Sequence, residues 1–429
     1  MLVSCQRRMH TTGMLARLTL RGATLILTLI LISSTAFAQT FISGSTGADG
    51  ALDFSGVPSG TTILFDPDTF APPLDQDGDN VYHFTTITIP AGVTVQLSAE
   101  VLGVKPVVWL ASGAVQIAGV VDLDGRPGHN RFDTPIPSVA GAGGFRGGVG
   151  RRSNLDAQPG DGPGGGHVTT SVGGGAGHAV AGGGGFGGGG AAYGNDFLLP
   201  LVGGSGGAGG AFSTSGCGGG AGGGALLIAS SVSTTVNGTI RAVGGSSICS
   251  TGGFFCSNCG GAGSGGAIRL MAPIISVSGS IFATGSFSAG TPSGSHGRIR
   301  LEAFQSNVTG SFITPPPHIV SPGIVFLPDT APSVRVVRVA GVDVPENSTG
   351  SFFMPDVTID NVAAAIIEIE ARNVPLGTVV QLSIFSETGL RQVVESTPFE
   401  GTEARSNATA VVTLPHGFSR FYVQANWMP

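Results

Sequence analysis

The chain has 429 residues, enough for roughly two or three domains, and its 74 glycines with 11% charged residues are far from an ordinary globular composition. A hydrophobic fraction of 41% supplies apolar surface to bury and argues against a disordered chain. The net charge of −6 argues against nucleic acid as a partner, because nucleic-acid binding needs a basic face.

The first 38 residues have the organisation of a secretory signal peptide. Arg17 and Arg21 precede an apolar run, Ala23–Ile32, and Ala36-Phe-Ala38 is a small-x-small cleavage site. The run is too short to span a membrane, so no transmembrane segment is expected once the signal is removed. The signal is also complete from Met14 onward, which leaves the start site open. We therefore predict a secreted or cell-surface protein.

The cysteines that remain after signal removal are Cys217, Cys249, Cys256 and Cys259. An even number of cysteines in an oxidising compartment favours disulfides, although the sequence leaves their pairing open. Cys256-x-x-Cys259 could also hold zinc or act as a redox pair, but neither a second CxxC nor a histidine pair accompanies it. Disulfides are the prediction.

Residues 41–80 are rich in Gly, Asp and Pro and contain one apolar strand, Thr62–Phe65. They predict a cap and a long loop before the first coil of a repeat. Asp75, Asp77 and Asp79 suggest a calcium loop, yet the glycine and the final glutamate of an EF-hand loop are out of place. A solvated turn is the preferred interpretation, and calcium is the alternative.

A repeat of three short strands joined by tight glycine turns follows. Its copies begin at Val107, Ala225, Ile268 and Ile299, and an earlier copy begins near His83. Each copy continues through an apolar-x-Gly turn into a further alternating strand. Strands of period two that recur with glycine turns predict a parallel β-helix in which each copy is one rung.

The first strand of each copy indicates which side chains face inward. The predicted inward residues are Val107, Trp109 and Ala111, then Ala225, Leu227 and Ala229, then Ile268, Leu270 and Ala272, then Ile299, Leu301 and Ala303. Leu226 and Ile228 would then point outward and need a cover. We predict that the glycine-rich segment from Arg126 to Gly224, which has neither helix nor strand periodicity, folds back over that face. A second glycine-rich excursion, 245–266, would leave the rungs from the same edge.

A proline cluster, Thr314–Pro317, with further prolines up to Pro332, marks a boundary. Beyond it, strand-like runs separated by turn signals predict a β-sandwich. The runs are Val334–Ala340, Ser351–Ile359, Ala365–Ala371, Val379–Phe385, Gln392–Glu395, Ala408–Leu414 and Arg420–Gln424. The predicted order is a signal peptide (1–38), an all-β glycine-rich β-helix domain with long insertions (39–313), a proline-rich linker (314–332) and a β-sandwich domain (333–429).

Four stretches carry a resemblance to a known group: Phe41–Gly50, Ile89–Val95, Trp109–Gly113 and Gly260–Leu270. Together they resemble uncharacterised secreted bacterial glycine-rich proteins, which themselves resemble right-handed parallel β-helices of the pectin-lyase-like type. The resemblance covers about residues 41–313. It implies an irregular right-handed parallel β-helix and carries no catalytic residue over to this chain.

Two groups of charged residues are candidates for glycan binding. Asp122 and Asp124 alternate with inward residues of one strand and so share its outer face, and glycoside hydrolysis uses two carboxylates that face one cleft. Arg269 and Arg300 face outward on consecutive rungs and could bind an anionic glycan. Neither group predicts a catalytic residue. Arg241 and Phe282 occupy the position of Asp122 in neighbouring rungs, so no carboxylate ladder builds up. Stacked arginines such as Arg269 and Arg300 are more often a solvated face, here partly neutralised by Glu302.

The sequence therefore favours an exported, non-catalytic structural, adhesive or surface-display protein built on a β-helix rod. The alternative is a polysaccharide-binding or polysaccharide-degrading β-helix protein, resembling a lyase or a glycoside hydrolase. The expected partners are extracellular polysaccharide or cell-envelope components and not nucleic acid. Apart from the calcium alternative, no cofactor is expected.

Overall fold

The computed structural model describes most of the chain beyond the predicted signal peptide, which itself lies outside the described residues. Residues Gln39–Pro429 form one compact unit. The described residues are 40–75, 77–184, 188–211, 215–248, 258–287, 291–327, 330–346, 348, 350–351, 355–360, 364–386 and 391–426.

Three parallel six-stranded sheets wrap around one core as a β-helix, as the repeat predicts. In chain order the strands are β1 (Leu52–Asp53), β2 (Thr62–Leu64), β3 (Val81–Phe84), β4 (Ile87–Ile89), β5 (Thr94–Gln96), β6 (Val107–Ala111), β7 (Val115–Ile117), β8 (Val120–Asp122), β9 (Ala225–Ser230), β10 (Ser233–Val236), β11 (Thr239–Arg241), β12 (Ala267–Met271), β13 (Ile274–Val277), β14 (Ser280–Phe282), β15 (Arg298–Glu302), β16 (Gln305–Val308), β17 (Phe312–Thr314) and β18 (His318–Val320). The first sheet has the order β1-β4-β7-β10-β13-β16, the second β2-β5-β8-β11-β14-β17 and the third β3-β6-β9-β12-β15-β18. A 3-10 helix at Pro67–Thr69 and the short helix α1 (Ala99–Leu102) interrupt the early rungs.

The apolar-x-Gly turns recur because their glycines stack between the first and second sheets. A Cβ added to Gly238 would lie 1.9 Å from the carbonyl oxygen of Gly119, and one added to Gly279 would lie 2.0 Å from that of Gly238. No side chain fits at such distances. Glycine at these positions therefore lets the backbones of consecutive rungs approach each other closely.

The β-helix begins earlier in the chain than predicted. β1 pairs with β4, and β2 pairs with β5, so residues 41–65 contribute a partial rung, whereas the sequence predicted a cap and a loop. Two-residue and three-residue strands are too short to show an alternating pattern, which is why the sequence did not reveal this rung. Phe65 ends the rung inside the core, with its ring centroid 5.1 Å from that of Tyr82.

The predicted orientation of β9 is wrong by one residue. Ile228 pairs with both Trp109 and Leu270, so Leu226 and Ile228 face the core and Leu227 faces outward. A shift of one residue moves every side chain of a strand to the opposite face. The observed orientation places a leucine and an isoleucine in the core, whereas the predicted one would have placed two alanines there.

The outer face of the third sheet is nevertheless covered. The buried residues on this face are Val81, Val108, Leu110, Leu227, Ala229 and Met271. Their cover comes from Phe41, from Leu201 in the glycine-rich segment, and from Val325 and Leu327 beyond the last rung. The glycine-rich segment therefore supplies only part of the cover that the sequence predicted. Most of its residues lie away from this face.

Most of the glycine-rich segment, together with the later excursions between the rungs, forms a bundle of extended segments, which we call the glycine bundle. Its segments are 123–129, 139–151, 158–167, 172–178, 182–184, 188–191, 203–211, 216–224, 242–248, 258–266, 283–287 and 291–297. Segment 216–224 shows the arrangement, because every third residue donates its N–H to the same neighbouring segment. Gly218, Ala221 and Gly224 donate to carbonyls of segment 123–129, namely those of His129, Arg126 and Leu123. Cys217, Gly220 and Gly223 donate to segment 258–266, at Asn258, Gly261 and Ser264. Gly219 and Gly222 donate to segment 139–151, at Gly148 and Phe145.

These hydrogen bonds are 2.8 to 3.0 Å long and point in three directions around the segment. A repeat of about three residues per turn is that of the polyproline II helix, which has no hydrogen bonds of its own and exposes all its backbone groups. In the glycine bundle those groups bond to neighbouring segments instead of water. The bundle is therefore a folded body, and its period of three is the regularity that a search for helix and strand periods misses.

The glycine bundle is connected to the β-helix along one edge, where the second sheet is followed by the third. Segments 123–129, 242–248 and 283–287 continue β8, β11 and β14 of the second sheet, and segments 216–224, 258–266 and 291–297 lead into β9, β12 and β15 of the third sheet. Excursions from successive rungs thus leave and return at the same edge, as predicted, and stack on one another through their backbones.

The C-terminal part consists of antiparallel sheets in a sandwich-like arrangement. Its strands are β19 (Ser333–Val339), β20 (Val342–Asp343), β21 (Ala365–Arg372), β22 (Val380–Ser386), β23 (Arg391–Glu395), β24 (Glu400–Thr402), β25 (Arg405–Val412) and β26 (Ser419–Ala425). The five-stranded sheet has the order β20-β19-β21-β25-β24, and the three-stranded sheet the order β23-β22-β26. The predicted strand Ser351–Ile359 is not formed in its described residues, 351 and 355–359.

Candidate functional site

Asp122 and Asp124 share one arginine of the next rung. Arg241 lies opposite Asp122 in the pairing of β11 with β8. Its Nε is 3.8 Å from Asp122 Oδ1, and its Nη2 contacts Asp124 Oδ2. Asp124 Oδ1 also accepts the N–H of Val243 at 2.7 Å. Burial raises the pKa of Asp124, while the Arg241 hydrogen bond acts in the opposite direction. The two carboxylates thus form part of a local ion-pair cluster.

Arg269 and Arg300 converge on Glu302. The Nε atom of each arginine is 2.7 Å from Glu302 Oε1, and Glu302 Oε2 accepts the N–H of Gly323 at 3.0 Å. Glu302 is only 1% exposed. Burial alone would raise the pKa of this carboxyl, but the hydrogen bonds and charge of the arginines outweigh burial and lower it. The arginine pair is therefore part of a buried network.

A loop of the glycine-rich segment lies over this network. Arg300 Nη1 donates to the carbonyl of Asp196 at 3.0 Å, and the ring of Phe197 lies 5.5 Å from the guanidinium carbon of Arg300. Asp122 belongs to the second sheet, whereas Arg269 and Arg300 belong to the third. The two candidate groups therefore form separate clusters and do not line one groove.

The aspartates of the calcium alternative form a turn. Asp75 Oδ1 accepts the N–H of Asp79 at 3.0 Å, and Asp75 Oδ2 accepts that of Asn80 at 2.8 Å. Asp79 Oδ1 accepts the N–H of Val81 at 2.9 Å. Carboxylates that cap backbone N–H groups are typical of Asx turns. Among the described residues no group of three potential metal ligands comes together. Asp77 and its neighbours thus have a turn geometry, and the calcium alternative stays untested.

Two of the four cysteines that are predicted to form disulfides lie among the described residues. Cys217 and Cys259 are both buried in neighbouring segments of the glycine bundle, where Cys217 donates its N–H to Asn258 at 2.9 Å. Cys249 and Cys256 lie outside the described residues. The pairing of these cysteines stays a prediction.

The sandwich carries a charged cluster that was missed in the sequence. Three arginines, Arg335, Arg372 and Arg405, surround the carboxylate of Glu370, and we call these four residues the arginine cluster. The Nε atoms of Arg335 and Arg372 lie 3.7 and 3.2 Å from Glu370 Oε1. The Nε and Nη2 atoms of Arg405 lie 2.8 and 2.6 Å from Glu370 Oε2.

Strand register creates the arginine cluster. Arg335 of β19 pairs with Glu370 of β21, and Arg372 lies two residues further along β21 on the same face. Glu370 is 3% exposed on its side chain, whereas Arg335 and Arg372 are 40% and 51% exposed. Burial alone would raise the pKa of Glu370, but Arg405 and the other arginines hold it below its ordinary value. Glu370 is therefore ionised at neutral pH.

A shallow cavity of about 120 Å³ opens beside the arginine cluster. Its lining residues are Ser333, Arg335, Glu346, Glu370 and Arg372. The sequence held a signal for this site, since Arg335 alternates with Val334 and Val336, and Glu370 and Arg372 alternate with Ile369 and Ala371. Charged residues at every second position of a strand share its outer face.

No known protein family, curated protein or solved structure matches this chain. The resemblance to secreted glycine-rich bacterial proteins therefore stays a prediction. Within the described part of the chain, no helix has both the length and the apolar character needed to cross a membrane.

Proposed function

We propose that this protein is an exported, non-catalytic structural or adhesive element, in which the β-helix and the glycine bundle are a rigid scaffold and the sandwich is a binding module. The observation that carries the proposal is the three-way hydrogen bonding of the glycine bundle. A segment such as 216–224 bonds to three neighbours through its backbone and has few side chains to offer for chemistry. Such a body suits mechanical support and display.

Close packing supports rigidity in this proposal. A Cβ added to Gly222 would lie 1.8 Å from the carbonyl oxygen of Gly204, and one added to Gly219 would lie 2.0 Å from that of Gly207. Segments held this closely by several backbone hydrogen bonds cannot open one residue at a time without leaving buried N–H and C=O groups unpaired. We therefore expect the glycine bundle to unfold only together with the rungs on which it is built.

The charged candidates on the β-helix support a non-catalytic role. Glycoside hydrolysis needs one neutral and one ionised carboxyl facing the same cleft. Asp122 and Asp124 instead share the guanidinium of Arg241, and Glu302 sits between Arg269 and Arg300. The polysaccharide-degrading alternative would have to act through side chains that are already engaged in these ion pairs.

Limited proteolysis tests the scaffold. The mature chain, residues 39–429, is incubated with proteinase K, and the cleavage sites are read by mass spectrometry. We expect resistance within 203–211 and 216–224, because a protease must first extract a segment from the bundle. The loop at residues 130–137, where Phe132 is 77% exposed, serves as the accessible reference. Rapid cleavage within the two bundle segments would contradict a rigid scaffold.

Chain scission tests the non-catalytic role. Neutral and acidic polysaccharides are incubated with the mature chain at high protein concentration, and chain length and new reducing ends are measured. We expect no scission. Scission that disappears in Asp122→Asn or Arg269→Gln variants would overturn the proposal in favour of the degrading alternative. Export is tested separately, by fusing residues 1–38 to a reporter that is active only outside the cytoplasm.

A further inference from the structure

We infer that the arginine cluster of the sandwich binds a carboxylated sugar unit of an acidic polysaccharide. The inference rests on the proposed adhesive function and names its ligand class. It places the binding surface in the C-terminal sandwich, whereas the sequence placed the candidate glycan contacts on the β-helix.

Guanidinium geometry supports an anionic ligand. Arg335 and Arg372 both approach Glu370 through Nε. Among the described residues, no hydrogen bond engages the terminal nitrogens of either arginine. A guanidinium binds a carboxylate best through two parallel N–H groups, and the edge formed by the terminal nitrogens offers such a pair. Glu370 thus orients two arginines without using the edges that a ligand would contact.

The charge of the cluster favours an incoming anion. Three guanidiniums surround one buried carboxylate, and Arg405 satisfies Glu370 Oε2 from the other side. The cavity itself is lined by Arg335 and Arg372 with Glu370 and Glu346. Because Arg405 adds a third positive charge in contact with Glu370, the cluster keeps an excess of positive charge even when Glu346 is counted.

The other lining groups favour a sugar over a simple anion. Glu346 and Ser333 line the same cavity as Arg335 and Arg372. A carboxylate and a hydroxyl accept hydrogen bonds from sugar hydroxyls, whereas a carboxylate repels a second anion. A ligand that carries one carboxylate beside several hydroxyls matches this combination. A uronic acid unit has that composition.

The size of the cavity and the net charge of the chain further restrict the class of polysaccharide that can bind. A shallow volume of about 120 Å³ accommodates part of one sugar ring and leaves the rest of a polymer outside. The chain has a net charge of −6, which opposes a polyanion of high charge density. A polysaccharide with one carboxylate per sugar is therefore a better match than a densely sulfated chain or a nucleic acid.

Binding of defined polymers tests the inference. The mature chain is titrated with polygalacturonate, with neutral dextran and with dextran sulfate, and affinity is measured by calorimetry at several salt concentrations. We expect polygalacturonate to bind more tightly than either reference polymer. Preference for dextran sulfate would overturn the carboxylate specificity, and equal binding of neutral dextran would overturn the role of charge.

Matched variants locate the site. The double variant Arg335→Gln/Arg372→Gln should lose at least tenfold in affinity for polygalacturonate. Arg338→Gln is the control, since Arg338 lies on the same strand with a similar exposure of 42% but is held by Asp343 and Glu368. We expect this control to bind within about twofold of the wild type. Arg372→Lys keeps the charge without the planar pair of N–H groups and should fall between the two.

Circular dichroism and thermal denaturation confirm that each variant is folded before binding is compared. Unchanged affinity in the folded double variant, or absence of polygalacturonate binding by the wild type, would overturn the inference. Either result without chain scission would leave the scaffold proposal standing. Scission of polygalacturonate, in contrast, would overturn the proposed non-catalytic function itself.

Discussion

Arg420 of the sandwich and Asp161 of the glycine bundle form a buried ion pair, with 3.1 Å between Nη2 and Oδ1. Both residues are 7% exposed. Arg420 also donates to the carbonyls of Gly160, Gly162 and Gly350 at 2.7 to 3.0 Å. Burial lowers the pKa of Arg420 to about 10, and Asp161 opposes this shift. One side chain thus joins the sandwich to the bundle.

Replacing Arg420 by glutamine should destabilise the whole unit. The substitution removes the donors to several carbonyls and takes away the positive charge that faces the buried carboxylate of Asp161. Loss of one partner of a buried pair costs about 3–5 kcal/mol. We expect a fall of that size in the free energy of unfolding, measured by chemical denaturation.

Asp161→Asn provides the comparison, because it keeps the carbonyl contacts of Arg420 and removes only the charge. Its effect should be smaller than that of Arg420→Gln. Arg241→Gln, at a pair whose arginine is 44% exposed, should cost less stability than Arg420→Gln, because water can partly replace the exposed guanidinium. Equal effects of Arg420→Gln and Arg241→Gln would show that the sandwich does not depend on this contact.

Glu302 is expected to be the most sensitive carboxylate of the β-helix. Glu302→Gln leaves Arg269 and Arg300 facing a neutral amide in a buried place, so about 3 kcal/mol of stability should be lost. Glu368→Gln is the control, since Glu368 is 40% exposed and contacts the exposed Arg338. Thermal denaturation of both variants measures the difference. A loss in Glu302→Gln no larger than in Glu368→Gln would contradict the buried network.

The rungs of the β-helix could be predicted because their strands keep a period of two and end in recurring glycines. The orientation of β9 could not, because Leu226, Leu227 and Ile228 are all apolar and either face of the strand fits an alternating pattern. Hydrogen-bond register decided it: Ile228 pairs with Trp109. The orientation of such a strand is determined by its hydrogen bonds to the neighbouring rungs and not by its own sequence pattern.

The candidate charges could be found in the sequence, but their partners could not. Asp124 and Arg241 are 117 residues apart, and Arg420 and Asp161 are 259 residues apart. Contacts at such separations depend on the stacking of rungs and on the path of the glycine bundle. That path follows a three-residue period set by small residues alone, which carries no hydrophobic pattern.

The stability of the glycine bundle should depend on pH through His178. This side chain is 1% exposed, and its Nδ1 donates to the carbonyl of Gly265 at 2.7 Å. Burial lowers the pKa of His178 to about 4, below its ordinary value of 6.5. The unfolded chain therefore takes up a proton first as the pH falls. The contribution of the neutral, buried His178 to the free energy of unfolding is therefore complete above pH 6.5. It is lost progressively as the pH falls towards 4, by about 3 kcal/mol in total.

Chemical denaturation between pH 7 and pH 4.5 measures this dependence. In His178→Leu the part of the slope that comes from the imidazole should vanish, while the part that comes from carboxylates remains. His416, which lies in an exposed loop, supplies the control variant His416→Leu, whose slope should match that of the wild type. An unchanged slope in His178→Leu would show that His178 is not buried as a neutral ring.

Gly222 offers the most direct test of the glycine bundle. A methyl group at this position would lie 1.8 Å from the carbonyl oxygen of Gly204, and backbone rather than a flexible side chain blocks it. Overpacking in a tight core costs about 1–3 kcal/mol and more where backbone must move. We expect Gly222→Ala to lose at least about 3 kcal/mol, and chemical denaturation measures the loss. Gly56→Ala is the control, because nothing lies within 4 Å of its Cβ position. Two variants of equal stability would rule out close backbone packing, since only a loose, solvated linker would accept a methyl group at Gly222 without cost.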